Sequence, residues 1–164
     1  MTTESFNDSV VQWPSESLTE IPYDLFSSRA QYNLENEAIF KGPAWNYLCL
    51  DVEITNPGDY VVSQIGEISI IVVRNEQGEI NAMVNRCVHR GAQLCQKRSG
   101  TTRKFSCVYH AWSYDLDGKL TNVAFSKGIK NQGGMPKDFK QEDHPLRSLR
   151  TTEFCGLIFG SFDA

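Results

Sequence analysis

From Trp45 onward the chain is written in short runs of Val, Ile, Tyr and Trp, each closed within a few residues by Gly, Pro, Asn or Asp. Runs this short cannot make the ten or more residues of a typical helix, and their β-branched and aromatic content suits a pleated surface. The pattern predicts strands at Trp45 to Leu50, Tyr60 to Ile65, Glu67 to Arg74, Ile80 to Asn85, Lys104 to Cys107, Ser113 to Leu116, Lys119 to Asn122, Leu146 to Thr151 and Leu157 to Phe162. Asn56-Pro57-Gly58, Glu76-Gln77-Gly78 and Asp117-Gly118 are the reversals between them, because Gly or Pro supplies the backbone angles a tight turn needs. The expected fold is mainly β, an antiparallel sandwich or barrel with long loops. Before it, Ser28 followed by Gln31 has the form of a capping box, opening a helix with Ala30, Leu34 and Ala38 on one face and stopped by Gly42-Pro43.

With 164 residues the chain is sized for one core, and 40% apolar with 22% charged residues exclude a disordered or fibrous class. A net charge of −4 gives no reason to expect nucleic acid, and no apolar run approaches the roughly 20 residues of a membrane span. The charge is nevertheless uneven. Residues 1–41 carry seven acids against two bases, 42–121 balance at eight each, and 122–150 carry six bases against three acids. The start lacks the basic end and apolar stretch of a secretory signal, so a cytoplasmic setting is expected. Five cysteines, an odd number, fit reduced thiols and metal ligation better than a disulfide framework.

Two clusters carry the chemistry. Cys87-Val88-His89 and Cys107-Val108-Tyr109-His110 each offer one thiolate and one imidazole just after a predicted strand, where sheet loops can converge. Cys87 and Cys107 on one iron with His89 and His110 on the other is the donor set of a Rieske [2Fe-2S] centre. Two thiolates and two neutral imidazoles leave an oxidised core of charge +2 at zero, whereas four thiolates leave it at −2, so the mixed set takes up an electron more readily. A structural zinc site with the same two cysteines and two histidines is the alternative, although familiar zinc sites pair like ligands at two- to four-residue spacing.

Read with their neighbours, Cys87-Val-His89-Arg90-Gly91 and Cys107-Val-Tyr-His110-Ala-Trp112-Ser-Tyr114 resemble the Rieske domain of aromatic ring-hydroxylating oxygenase α subunits. The helix before Gly42-Pro43-Ala44-Trp45, the Asn56 to Tyr60 turn and the Gly133 to Phe139 segment extend the resemblance. The last of these looks most like α subunits acting on salicylate or anthranilate-type compounds. The resemblance implies an arm and helix over 1–44 and a Rieske domain over 45–164. It also implies a mononuclear Fe(II) in a catalytic domain outside these residues: a facial triad needs two histidines and a carboxylate, and only His144 remains. Electrons would come from a ferredoxin or reductase, and the expected neighbours are other α subunits and a β subunit. A freestanding Rieske ferredoxin is the rival reading.

The respiratory type carries a supporting cysteine in each loop and a serine near the bridging sulfide. Ala92, Tyr109 and Trp112 hold those places here, which implies a potential at the low end of the Rieske range of about −150 to +300 mV. Trp112 is expected to cover the cluster or fill the core, and Tyr114 to donate to a ligand sulfur or simply pack. Arg90 either receives an acidic partner or a neighbouring subunit, or is a solvated cation. Cys95 could approach the cluster, but with Cys49 and Cys155 it reads as a small buried hydrophobe. His144 reads as a turn histidine, and Lys127, Lys130, Lys137 and Lys140 as an exposed loop face.

Overall fold

The computed structural model describes residues 11–13, 19–130 and 132–163, so the start of the acidic arm lies outside the described residues. Helix α1 (Arg29–Glu35) precedes ten strands: β1 (Asn46–Leu50), β2 (Asp59–Ile65), β3 (Ile68–Arg74), β4 (Ile80–Val84), β5 (Ser99–Thr101), β6 (Phe105–Ser106), β7 (Ser113–Tyr114), β8 (Leu120–Asn122), β9 (Ser148–Phe154) and β10 (Leu157–Ser161). They form a seven-stranded sheet in the order β1-β10-β9-β4-β3-β2-β5 and a three-stranded sheet in the order β6-β7-β8. Every pairing is antiparallel.

The large sheet curls. Ser63 Oγ on β2 donates to the Leu48 carbonyl on β1 at 2.7 Å, although these strands are far apart in the sheet order. Curling encloses one core of Leu48, Ile54, Val61, Ile65, Ile70, Val72, Leu149 and Ile158. The other face of the same strands carries Ile71, Val73 and Met83 against Phe105, Tyr114 and Leu120 of the small sheet. β3 is therefore buried on both faces, which explains its unbroken Ile70-Ile71-Val72-Val73 run where a half-exposed strand would alternate. Each such side chain contributes about 1.5–3 kcal/mol by leaving water.

Polar contacts fix how the two sheets meet. Asp117, in the β7–β8 turn, accepts from Asn75 Nδ2 just after β3 and from Asn81 Nδ2 on β4, both at 2.9 Å. Asn81 also donates to the Leu116 carbonyl at 3.1 Å. Gly118 follows with φ +78°, close against Met83 Sδ, so this turn needs both a left-handed backbone and the absence of a side chain.

Several expectations are corrected. Strand β5 is absent from the sequence reading; Ser99-Gly100-Thr101 is exposed and has no apolar residue to announce it. Gly100 there lies under the Tyr60 ring, where a Cβ would meet Tyr60 Oη at 3.1 Å. Strand β9 starts two residues later than expected and runs on to Phe154. Ser28 does cap α1, accepting from Gln31 N–H at 3.1 Å, but the Gln31 side chain turns to Glu35 instead of completing a box. The helix continues as a π-helical turn over Asn36–Phe40, and the buried residue is Asn36, while Leu34 and Ala38 are exposed. The helix seats itself on the β2–β3 turn through Asn36 against Gly66 and through Tyr32 Oη donating to Glu67 at 3.1 Å. Among the described residues no helix is long and apolar enough to cross a membrane.

Candidate metal centre

The two clusters are one backbone device used twice. In the loop after β4, Cys87 N–H donates to the Ala92 carbonyl and Gly91 N–H returns to the Cys87 carbonyl, both at 2.8 Å. In the loop between β6 and β7, Cys107 N–H donates to the Trp112 carbonyl at 2.8 Å and Ala111 N–H returns to the Cys107 carbonyl at 3.0 Å. Both fifth positions lie in the left-handed region, Gly91 at φ +74° and Ala111 at φ +54°. Glycine accepts that angle freely; alanine holds it only because the surrounding loop does.

The loops bring the candidate donors together. Cys87 and Cys107 are both buried in the core shared by the two sheets. The His89 and His110 rings lie 4.8 Å apart, edge to face. Burial pushes the His89 pKa below its ordinary value, with His110 and then Arg90 adding to the effect. A neutral imidazole is the form that ligates a metal. His110 Nδ1 is buried and has no hydrogen-bond partner, in a protein interior where such atoms are nearly always satisfied. Among the described residues no three His, Cys, Asp or Glu side chains form a site for a lone metal ion. Two thiols, two adjacent imidazoles and an orphaned ring nitrogen fit a binuclear group divided between a sulfur pair and a nitrogen pair.

Tyr114, fully buried on β7, places Oη 3.3 Å from Cys87 Sγ and 3.3 Å from Val88 N. Burial raises its pKa, followed by the hydrogen bond to Cys87. It therefore stays protonated, accepts from Val88 N–H and donates to a Cys87 thiolate. Trp112 stacks on His89 with centroids 4.8 Å apart and planes 8° from parallel. It fills the core, and its stacking covers one face of the His89 imidazole.

Arg90 is exposed and pairs with no carboxylate among the described residues. Cys95 is buried, and its thiol is pushed up to about 12 by burial; Cys49 is held at about 12 by burial, then Glu53 and Asp51. Both are buried, as expected of small hydrophobes. Cys155 is a correction: it is exposed at φ +51° in the β9–β10 hairpin turn.

Asn85 escaped the sequence reading, as did the contacts of Phe139 and His144. Asn85 is buried beside the first loop, where Oδ1 accepts from Leu94 N and Cys95 N while Nδ2 donates to the Cys95 carbonyl and Ser69 Oγ. All four of its hydrogen-bonding positions are used to pin the loop that carries Cys87 and His89. Phe139 and His144, from the long loop, meet each other at 4.6 Å and Trp112 at 5.8 and 6.0 Å. His144 is thus more than a turn residue. Only the proximity of Asn85 to Cys87 was visible in the sequence; the aromatic contacts join positions about thirty apart.

Curled antiparallel sheets that present two matched Cys/His loops are the architecture of a Rieske-type domain. A family model described as Rieske [2Fe-2S] domain matches residues 44–132, and the chain belongs to that family. Within it, the chain is homologous to the N-terminal region of ring-hydroxylating dioxygenase α subunits, which are oxidoreductases. It is 48% identical over 155 residues to the terephthalate 1,2-dioxygenase terminal oxygenase component subunit alpha 2 of Comamonas sp, covering 94% of this chain and 38% of that protein. It is 46% identical over 154 residues to the anthranilate 1,2-dioxygenase large subunit of Burkholderia cepacia, covering 94% and 36%. A crystal structure of naphthalene 1,2-dioxygenase from Rhodococcus sp. bound to indole superposes with a TM-score of 0.75 at 38% identity, covering 85% of this chain and 30% of that one. The chain spans about a third of the length of the curated relatives it matches.

Proposed function

We propose that this chain is the electron-relay domain, 45–164 behind an arm and helix over 1–44, of a cytoplasmic oxygenase that hydroxylates an aromatic carboxylate. Its cluster is held by Cys87 and Cys107 on one iron and by His89 and His110 on the other. The observation that carries the reading is the pair of matched loops with His110 Nδ1 buried and unpartnered. When bound, the [2Fe-2S] group takes up one electron and gives it back.

The chain's own residues set the conditions. The two cysteines supply thiolates from the dry core, and imidazole donors in place of two further thiolates keep the site's total charge low. Tyr114 keeps its proton at Oη and directs it to Cys87 Sγ. Trp112 keeps water off one face of His89. Ala92, Tyr109 and Trp112, standing where other Rieske proteins have sulfur-directed donors, hold the potential low in the range. The electron's source is a ferredoxin or reductase, and its destination is a mononuclear iron in a catalytic domain, reached within an assembly of α subunits and a β subunit. The substrates in the relatives' names, terephthalate and anthranilate, both carry a ring carboxylate, which favours that class.

The test is a redox titration of purified protein followed by absorbance. One electron per chain at a potential below 0 mV is the expected result. A chain that takes up no electron would refute the relay, and a potential well above 0 mV would refute the assignment of those three positions.

A further inference from the structure

Trp112 belongs to one loop and covers the other. Its carbonyl closes the Cys107 loop, accepting from Cys107 N–H at 2.8 Å, while its indole lies across the gap on His89, nearly parallel to that ring. A single aromatic pair is a weak restraint. What holds the indole flat on His89 must therefore act on its remaining sides.

Those sides meet the long loop over 123–145. Phe139 approaches the indole at 67° and His144 at 80°, both in the edge-to-face geometry that aromatic rings favour, and the two rings also meet each other. The pair is itself held in place. His144 Nδ1 donates to the Lys140 carbonyl at 2.9 Å, which sets the angle of its ring, and Phe139 N–H donates to the Pro136 carbonyl at 3.1 Å. Beyond them Leu146 N–H donates to the Gly118 carbonyl at 2.8 Å, and both Leu146 and Val123, at the two ends of the loop, are buried in the core that contains Cys87 and Cys107. Trp112 is only 4% exposed, whereas Phe139 and His144 are half-buried, so the pair stands between the indole and solvent. Groups behind a metal ligand orient it and tune the metal.

We propose that Phe139 and His144 are positioning residues that act through Trp112: they brace the indole flat on His89 and keep water from that side of the centre. This rests on the relay reading above and gives the long loop a part in setting the potential. One added electron takes a centre held by two thiolates and two imidazoles from no net charge to −1. Water admitted beside His89 stabilises the charged, reduced state, so loosening the brace raises the potential.

The test is redox titration of cluster-bearing protein. Phe139→Ala and His144→Ala should each raise the potential, moving the reduction equilibrium by about threefold or more, which is about 28 mV at about 59 mV per tenfold. Phe139→Tyr and His144→Phe keep a ring edge on the indole and should stay within about 1.5-fold of the parent protein. In a Trp112→Phe background the alanine variants should add nothing further, since independent effects would sum. A lowered potential in His144→Ala would mark the imidazole as a nearby cation, and equal shifts in His144→Ala and His144→Phe would mark its hydrogen bond to Lys140. Either result would overturn the proposal, as would additive shifts or none. The second readout needs no cluster: the fluorine resonance of Trp112 in protein made with 5-fluorotryptophan, assigned by its loss in Trp112→Phe. It should move toward its solvent-exposed position in both alanine variants and hold in Phe139→Tyr and His144→Phe. An unmoved resonance would overturn the brace whatever the potential. Protein that takes up no electron yet shows the expected fluorine pattern would refute the relay reading and leave the brace standing.

Discussion

Tyr114→Phe removes the hydroxyl that meets Cys87 Sγ and Val88 N–H at the candidate centre. Phenylalanine keeps the ring that fills the core and removes only Oη, which lies 3.3 Å from Cys87 Sγ. A hydrogen bond to a charged group is worth about 1.5–3 kcal/mol. The potential responds to the part of that strength gained on reduction, when negative charge on the sulfur increases. For a one-electron couple, about 59 mV corresponds to a tenfold change in the equilibrium constant, or about 1.4 kcal/mol. A gain of about 1 kcal/mol therefore lowers the variant's potential by about 40 mV, and the full 3 kcal/mol would lower it by about 130 mV. The direction follows because the lost donor favoured the more negative, reduced state. Redox titration with iron and sulfide content measured on the same sample is the assay. A potential that rises, or stays within about 10 mV at full cluster content, would refute the assignment of Tyr114 as a donor to a ligand sulfur.

Three further outcomes are expected. Asn85→Leu leaves Leu94 N–H and Cys95 N–H without their partner in the interior and the Cys95 carbonyl with Gln93 Nε2 alone. It should lower cluster content on purification and cut stability by about 2–4 kcal/mol, read by chemical denaturation; undiminished iron content would contradict its positioning role. Ala111→Gly relieves a left-handed alanine and should raise stability by up to about 1 kcal/mol, whereas the same change at a right-handed position would lower it. The Asp117 carboxyl sits below its usual range, chiefly through the Asn75 hydrogen bond and then Asn81, against an opposing effect of burial. Its stabilising contribution is therefore full above the unfolded value of about 3.9 and is lost as pH falls through the lower folded value. Asp117→Asn should flatten the acid side of the stability curve; an unchanged acid limb would show that the carboxylate does not couple the sheets.

The alternation of β-branched runs and turn residues made nine strands and the antiparallel class legible, because burial on the curled sheet depends on that pattern. β5 was not legible, since it exists through Gly100 fitting under Tyr60 and through pairing to the edge of β2, neither of which leaves an apolar mark. The helix start was legible in Ser28, but its docking through Asn36 on Gly66 was not, because a polar residue facing a glycine mimics a solvated face. At the site, residue type alone picked out the two Cys/His pairs. Asn85, Phe139 and His144 act through contacts across the fold, and their spacing gives no sign of it. Cys155 misled because free cysteine is commonly buried, whereas here it occupies a hairpin turn.

The central claim is that two irons and two sulfides sit between the loops at Cys87 and Cys107. Iron, zinc and acid-labile sulfide measured per chain on anaerobically purified protein test it directly. Two irons and two sulfides, with both lost in Cys107→Ser, is the predicted result. One zinc per chain with no sulfide would contradict it.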